Sequence, residues 1–201
     1  MKNKITLKNA WAHFRKIQKH RKYVRHYCFL AGIPWRGITH DLSKYSPIEF
    51  WESVKFYKGV SSPINEAKKL QGISYAWLHH KGRNSHHYEY WMDNFDNGGL
   101  ARLMPKNDFV ELVCDYLGAA AAYGKVDNYF YAREHEWWKN KRDNCAMNEK
   151  NKVMLDIIFS NLEKAENPML INLEDEFRHW IPTPERLIKS GYIQEVWEAN
   201  K

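Results

Sequence analysis

A chain of 201 residues can bury a core without disulfide or metal staples, so a metal held by it serves chemistry and not folding rescue. Three cysteines without CxxC spacing (Cys28, Cys114, Cys145) exclude a disulfide framework and a zinc finger and fit a reducing compartment. The formal charge of +7 favours phosphate-bearing partners. MKNKITLKNAWAHFRK carries no apolar signal region and no long apolar run follows, which points to a soluble, cytoplasmic protein with no membrane partner.

Periodicity predicts an all-α fold. From Leu7 to Ala31, Trp11, Phe14, Ile17, Tyr23, Val24, Tyr27 and Cys28 recur at helical spacing, and Gly32 with Pro34 ends the helix. Inside it, HFRKIQKHRKYVRH is a basic run interleaved with aromatics, as a nucleic-acid-binding helix can be. In SPIEFW, Ser46 caps, Pro47 takes the first turn and Glu49 closes a capping box, so a helix starts just after His40-Asp41. Ser62-Pro63 begins a short helix through Leu70, and SYAWLHHKG reads as another, stopped at Gly82.

After an Asn/Asp/Gly-rich loop from Asp93 to Gly99, NDFVELVCDYLGAAAAYG presents Phe109, Leu112, Val113, Tyr116, Leu117 and Ala120 as an apolar face. Asp115 lies beside that stripe, where Gly118, Ala119 and Ala122 leave room for its carboxylate; the alanine run itself reads as close helix packing. A polar Lys/Asn-rich joint is expected from Lys139 to Lys152, followed by the helix VMLDIIFSNLEKA and a last helical stretch starting at Thr183-Pro184. No alternating run is long enough for a sheet. The expected organisation is a metal-binding helical domain over residues 1–138 with a helical C-terminal extension, 139–201, packed on it.

The stretch SYAWLHHKGRNSHHYEYW gathers four of the ten histidines, as His79-His80 and His86-His87. His20 shares a helix face with Tyr23, Val24 and Tyr27 and is expected to point inward. Neutral imidazoles and carboxylates brought together from separate helices suit one or two divalent ions among Mn, Fe, Zn, Ni, Co and Mg. Adjacent helical residues point about 100° apart, so His80 is expected as a ligand and His79 as a supporting or packing residue. His86 is the expected ligand of the second pair, with His87 close behind, and Asn84 reads as a turn residue or as an orienting group. Trp77, Tyr88, Tyr90 and Trp91 are expected to form a dry wall of core around the histidines. His13, His26, His135 and His179 read as surface or packing residues.

Histidine, His-Asp, histidines, then aspartate, on an all-helical scaffold, resembles the HD-domain superfamily of metal-dependent phosphohydrolases. The match is carried by His20, His40-Asp41 and Asp115, with His80 and His86-His87 where many members add ligands for a second metal. HDLSK is similar to the HD-x-x-K of the cyclic-dinucleotide phosphodiesterase branch, whose lysine faces phosphate. However, HHKGRNSHH stands where that branch has a Gly-Tyr-Pro signature, which leaves cyclic dinucleotides an open option. HRKYV, GITHDLSKYSPIEF, GISYAWLHHKGRNSHHYEYW and VELVCDYLGAAAAYG also resemble an uncharacterised family of Firmicutes and phage proteins.

The resemblance implies an HD-domain-like helical bundle with metals held by His20, His40, Asp41, His80, His86 and Asp115 and bridged by Asp41. It further implies Lys44 offsetting phosphoryl charge, Arg83 or Lys81 helping, and the second member of a histidine pair, such as His87, protonating the leaving group. The implied substrate is a nucleotide or other small phosphate ester. Three alternatives accompany this reading: an HD-fold di-iron oxygenase, a noncatalytic nucleic-acid binder using the basic N-terminal helix, and a phage interaction protein.

Overall fold

The structure, a computed structural model, describes residues 5–170 and 183–201. His179 therefore lies outside the described residues. The fold is all-α, with ten α-helices and a hairpin of two-residue strands among the described residues.

Helix α1 (Leu7–Leu30) begins where the Thr6 hydroxyl accepts the Asn9 N–H at 3.1 Å. The chain reverses at Gly32, in the left-handed region (φ +72°), and Pro34 then starts a short helix instead of only ending the previous one. Its fixed φ and missing N–H suit the first helical position, giving α2 (Pro34–Thr39). Residues Leu42–Tyr45 form one 3-10 turn, and α3 (Pro47–Phe56) follows with Ser46 as its cap. Glu49 does not close the expected capping box: it is buried and turned toward His79 and His80, where positive charge demands it more.

Helices α4 (Pro63–Gln71) and α5 (Tyr75–Lys81) pack on α3, with Ser74 capping α5 through the Trp77 N–H. The Asn/Asp/Gly-rich loop carries the small hairpin, β1 (Met92–Asp93) paired antiparallel with β2 (Leu100–Ala101). Next come α6 (Lys106–Tyr123), α7 (Phe130–Arg142), α8 (Glu149–Glu166), α9 (Pro184–Lys189) and α10 (Tyr192–Asn200). The expected polar joint is thus split between the last turns of α7 and the first turn of α8. Lys139, Asn140 and Lys150 face solvent, whereas Asn151 is fully buried and accepts the Met104 N–H at 3.0 Å, and the inner faces of the two helices carry Trp138 and Met154, both fully buried.

One continuous apolar core runs from Val24 to Val196 and joins α1, α6, α7, α8, α9 and α10. Position 139 falls inside α7, so the C-terminal helices share their core with the helices that carry Asp115 and His20. At its centre α1 and α6 lie unusually close. A Cβ on Gly118 would come 2.4 Å from Val24 Cγ2 and 2.8 Å from the Val24 backbone N. Val24 is one turn from His20 and Gly118 one turn from Asp115, so this approach sets the distance between two site residues. No helix among the described residues is long and apolar enough to cross a membrane.

Helix propensity alone favours Gly118→Ala by about 1 kcal/mol. Because the added methyl meets backbone as well as side chain, the substitution is expected instead to cost about 2–3 kcal/mol in urea unfolding. Unchanged or increased stability would contradict the close approach.

Candidate metal centre

The centre is built on a strained turn. His40 ends α2 and Asp41 follows at φ 56°, ψ 26°, in the left-handed region that aspartate tolerates better than most residues at a cost of about 1 kcal/mol. That reversal turns both side chains inward, to 2% and 1% exposure. Arg21, next to His20 on α1, fixes the turn from outside: its Nε donates to the His40 carbonyl at 2.8 Å and its Nη2 to the Ile38 carbonyl at 2.8 Å.

Two groups of ligand atoms meet at Asp41. In the first, His20 Nε2 lies 3.0 Å from Asp41 Oδ2, 3.2 Å from Asp115 Oδ1 and 3.3 Å from His40 Nε2. His40 Nε2 is 3.2 Å from Asp41 Oδ2 and 3.4 Å from Asp115 Oδ1. Two ligands about 2.1 Å from one ion lie about 3.0 Å apart at a right angle and about 3.4 Å apart at the tetrahedral angle. These are the spacings observed, so the donor set fits a divalent ion. The second group takes the other carboxylate oxygen: His80 Nε2 is 3.2 Å and His86 Nε2 3.5 Å from Asp41 Oδ1, and His87 completes the group within 4.8 Å. Asp41 Oδ1 and the Nε2 atoms of His80, His86 and His87 are buried without a hydrogen-bond partner, as lone pairs facing a common cation would be.

Carboxylates behind the histidines set their tautomers. The Nδ1–H of His40 donates to Glu111 Oε1 at 2.8 Å, and His86 Nδ1 lies 3.2 Å from the same oxygen. His80 Nδ1–H donates to Glu49 Oε2 at 2.7 Å, and His79 Nδ1–H to Glu49 Oε1 at 2.6 Å. For His80 and His86 this leaves an Nε2 lone pair unpartnered and more basic, whereas His79 Nε2 is taken up by Arg83. Arg36 holds Glu111 in turn, donating to it at 2.8 Å and to Asp108 at 2.7 Å. Asn84 takes the orienting role, its amide reaching Ser43 Oγ at 2.8 Å and the His80 carbonyl at 2.7 Å.

Electrostatics follow from this packing. Burial opposes charge on Asp41, yet His40, Lys44 and His80 hold its carboxyl well below the usual carboxylate range. Burial likewise opposes the Asp115 charge and is outweighed by hydrogen bonds from His20 and His40. Burial also acts against charge on His40 and His80, but the surrounding carboxylates, Asp41 foremost, raise both imidazoles. Glu111, despite burial, is held down to about 2 by His40 and His86. His87 differs: burial, then the neighbouring His86 and His80, push it well below its ordinary value. This downward shift favours an available lone pair, as a ligand needs, and works against the leaving-group acid expected of His87.

The six expected ligands are brought together, His87 joins them, and Lys44 ion-pairs with Asp41 on the same side. Arg83 is not brought in; its Nε donates to His79 Nε2 at 2.8 Å, away from the ligand atoms. A cavity of about 500 Å³ opens over the centre, with His20, Lys44, His80, His87 and Asp115 on its floor. Trp77, Tyr116, Tyr123 and Trp137 wall it, and so do Ala119 and Ala120, which therefore do more than pack helices. Of the aromatics expected as core, Tyr88 and Trp91 pack against it, whereas Tyr90 is exposed. His13 packs in the cavity wall, its imidazole lowered to about 4 by burial and then by Lys44.

Glu49, Glu111, Arg21 and Arg36 escaped the sequence reading. Asp108, Glu111 and Asp115 sit at i, i+3 and i+7 of α6, an acidic stripe on an otherwise apolar helix that would have flagged Glu111.

Glu111→Gln is expected to weaken divalent-metal affinity about 10–100-fold while the chain stays folded, read by competition with a chromophoric chelator; undiminished affinity would remove Glu111 from the site. A second expectation concerns pH. His40 and His80, raised above 6.5, contribute stability present below about 6.5 and lost as pH climbs through their folded values. Asp41 and Asp115, held below 3.8, contribute stability present above about 3.8 and lost on acidification. With metal chelated, the melting temperature should fall as pH rises above about 6.5, and saturating Mn²⁺ should abolish that fall, because metal binds the deprotonated ligands. The same alkaline slope with and without metal would contradict the assignment.

No match was found among curated proteins or among solved structures. Residues 9–170 match a family described as a family of unknown function, DUF5662, and the chain belongs to it.

Proposed function

We propose that the protein is a divalent-metal-dependent phosphohydrolase of the HD type, acting on a nucleotide or another small phosphate ester. One observation carries the reading: a single buried carboxylate, Asp41, presents Oδ2 to one ligand group and Oδ1 to the other, and His20, Asp115, His80 and His87 of those groups line a cavity together with Lys44. Ions bound there supply Lewis acidity toward phosphoryl oxygens and render water acidic enough to ionise near neutral pH.

The chain's own residues do the rest. His20, His40 and Asp115 define one position, His80, His86 and His87 the other, and the rigid carboxylate of Asp41 spaces them. Lys44, whose charge is favoured by Asp41 and Asp115 over the opposing effect of burial, offsets negative charge on the nonbridging oxygens. Trp77, Tyr116, Tyr123 and Trp137 exclude water and give a flat ligand apolar faces to lie against. A nucleotide satisfies both halves of this cavity, an anionic end for the floor and a planar apolar end for the wall.

Asp41→Asn keeps a side chain that tolerates the left-handed turn. In purified wild type, elemental analysis should find about one or two equivalents of divalent metal, and phosphate release should be detectable across a nucleotide panel supplied with Mn, Mg, Co or Ni. The variant should lose metal and turnover together, by about a hundredfold or more. A folded wild type that binds no metal and releases no phosphate would sink the reading, and bound iron with an oxygen-dependent spectrum would replace it with oxygen chemistry.

A further inference from the structure

Next to the metal-centre cavity lies a second one, of about 300 Å³, with a different chemical character. Ser62, Ile64, Asn65, Trp77, His87 and Tyr116 line both, so the two spaces adjoin. The second space receives two ammonium groups. Lys141, from the last turn of α7, places Nζ 4.7 Å from the Tyr116 ring centroid, 4.9 Å from Trp137 and 5.8 Å from Tyr88. Lys68, from α4, lies 4.7 Å from the Trp77 ring.

Neither lysine meets a carboxylate within ion-pair distance among the described residues, whereas Lys58 pairs with Glu66 at 2.5 Å and Lys106 with Glu198 at 2.6 Å. Glu89 is the single carboxylate lining this space, set against two ammonium groups. Burial lowers the pKa of both lysines against the opposing charge of Glu89, and Lys81 and then Lys141 lower Lys68 further. The aromatic rings hold the ammonium groups in place by cation–π attraction but leave their N–H donors largely unspent; Lys141 donates only a long bond to the Tyr116 hydroxyl, at 3.4 Å.

We propose that Lys68 and Lys141 form an anion subsite that takes the second phosphate of a ligand whose first phosphate lies at the metal centre. The organic frame between the phosphates then passes His87 and rests against Trp77 and Tyr116. The ligand class is a small molecule carrying two separated phosphates, such as a nucleoside bisphosphate or a dinucleotide, and not a simple monoester. This rests on the phosphate-ester reading of the metal centre.

The test is calorimetric binding to the full chain, with inorganic phosphate, adenosine monophosphate and adenosine 3′,5′-bisphosphate as probes. With Mn²⁺ present, the bisphosphate is expected to bind about tenfold more tightly than the monophosphate, and Lys68→Gln/Lys141→Gln to erase that ratio. Lys141→Arg, which keeps charge among the rings, should preserve it. After metal is stripped with a chelator, wild type should still bind inorganic phosphate weakly and the double variant should not. Equal affinities in wild type, or a ratio that survives the double substitution, overturns the subsite. Phosphate binding that needs the lysines but is indifferent to metal keeps the subsite and sinks the phosphohydrolase reading; binding that needs metal but not the lysines does the reverse.

Discussion

Taking the Asp41 carboxylate out of water, to 1% exposure, costs several kcal/mol that only neighbouring positive charge and hydrogen bonds can offset. The surrounding elements are arranged around that requirement. His20 reaches it from α1, His40 from the same turn, Lys44 from the following 3-10 turn and His80 from the end of α5. The balance is not closed by permanent charges. Asp41, Asp115, Asp108, Glu49 and Glu111 face Lys44 and Arg36, so protons on imidazoles or bound cations must supply the remainder. The carboxylates that raise the His40 and His80 imidazoles thereby raise their affinity for metal, since proton and metal compete for the same lone pairs.

Helix packing makes this concentration of charge geometrically feasible. Gly118 lets the α1 and α6 backbones approach at Val24, and one turn away His20 and Asp115 meet at 3.2 Å. On its apolar face α6 carries Phe109, Leu112, Val113 and Leu117 into a core shared with α8, α9 and α10. Among the described residues α8, α9 and α10 supply no ligand, yet they pack against the helix that presents Asp108, Glu111 and Asp115. A rigid second layer of this kind is what holds ligand atoms at bonding distances.

Residues with a periodic or paired signal were legible in the sequence. The long amphipathic helices stand where spacing placed them, and Ser46, Ser74 and Thr183 start helices with their side-chain oxygens as caps. His20, His40, Asp41, His80, His86 and Asp115, the set implied by the superfamily resemblance, lie close together in two groups that share Asp41. What stayed hidden depends on long-range charge demand, which has no local signature. Glu49 has the spacing of a capping residue until the imidazole 31 residues away claims it. Helix α2 was hidden because one proline both ends a helix and begins the next. In α7, Glu134, Trp137 and Lys141 serve cavities and not the continuous apolar face from which a helix is read.

The same long-range logic changes the meaning of the basic N-terminal run. Within HFRKIQKHRKYVRH, His13 and His20 are buried, Arg21 clamps the His40-Asp41 turn and Lys16 lies over the Tyr123 ring at the cavity rim. A stretch whose composition matches a nucleic-acid-binding helix thus commits several of its basic side chains to the protein itself. Lys44, Lys68 and Lys141 are instead grouped around two adjoining cavities whose shared lining includes Trp77 and Tyr116. Positive charge held in concave, partly dry spaces acts on a small anion far more strongly than the same charge spread over a solvated helix, because low-dielectric walls reduce screening. The placement of these three lysines therefore supports the proposal of a small phosphorylated ligand over that of a polyanion.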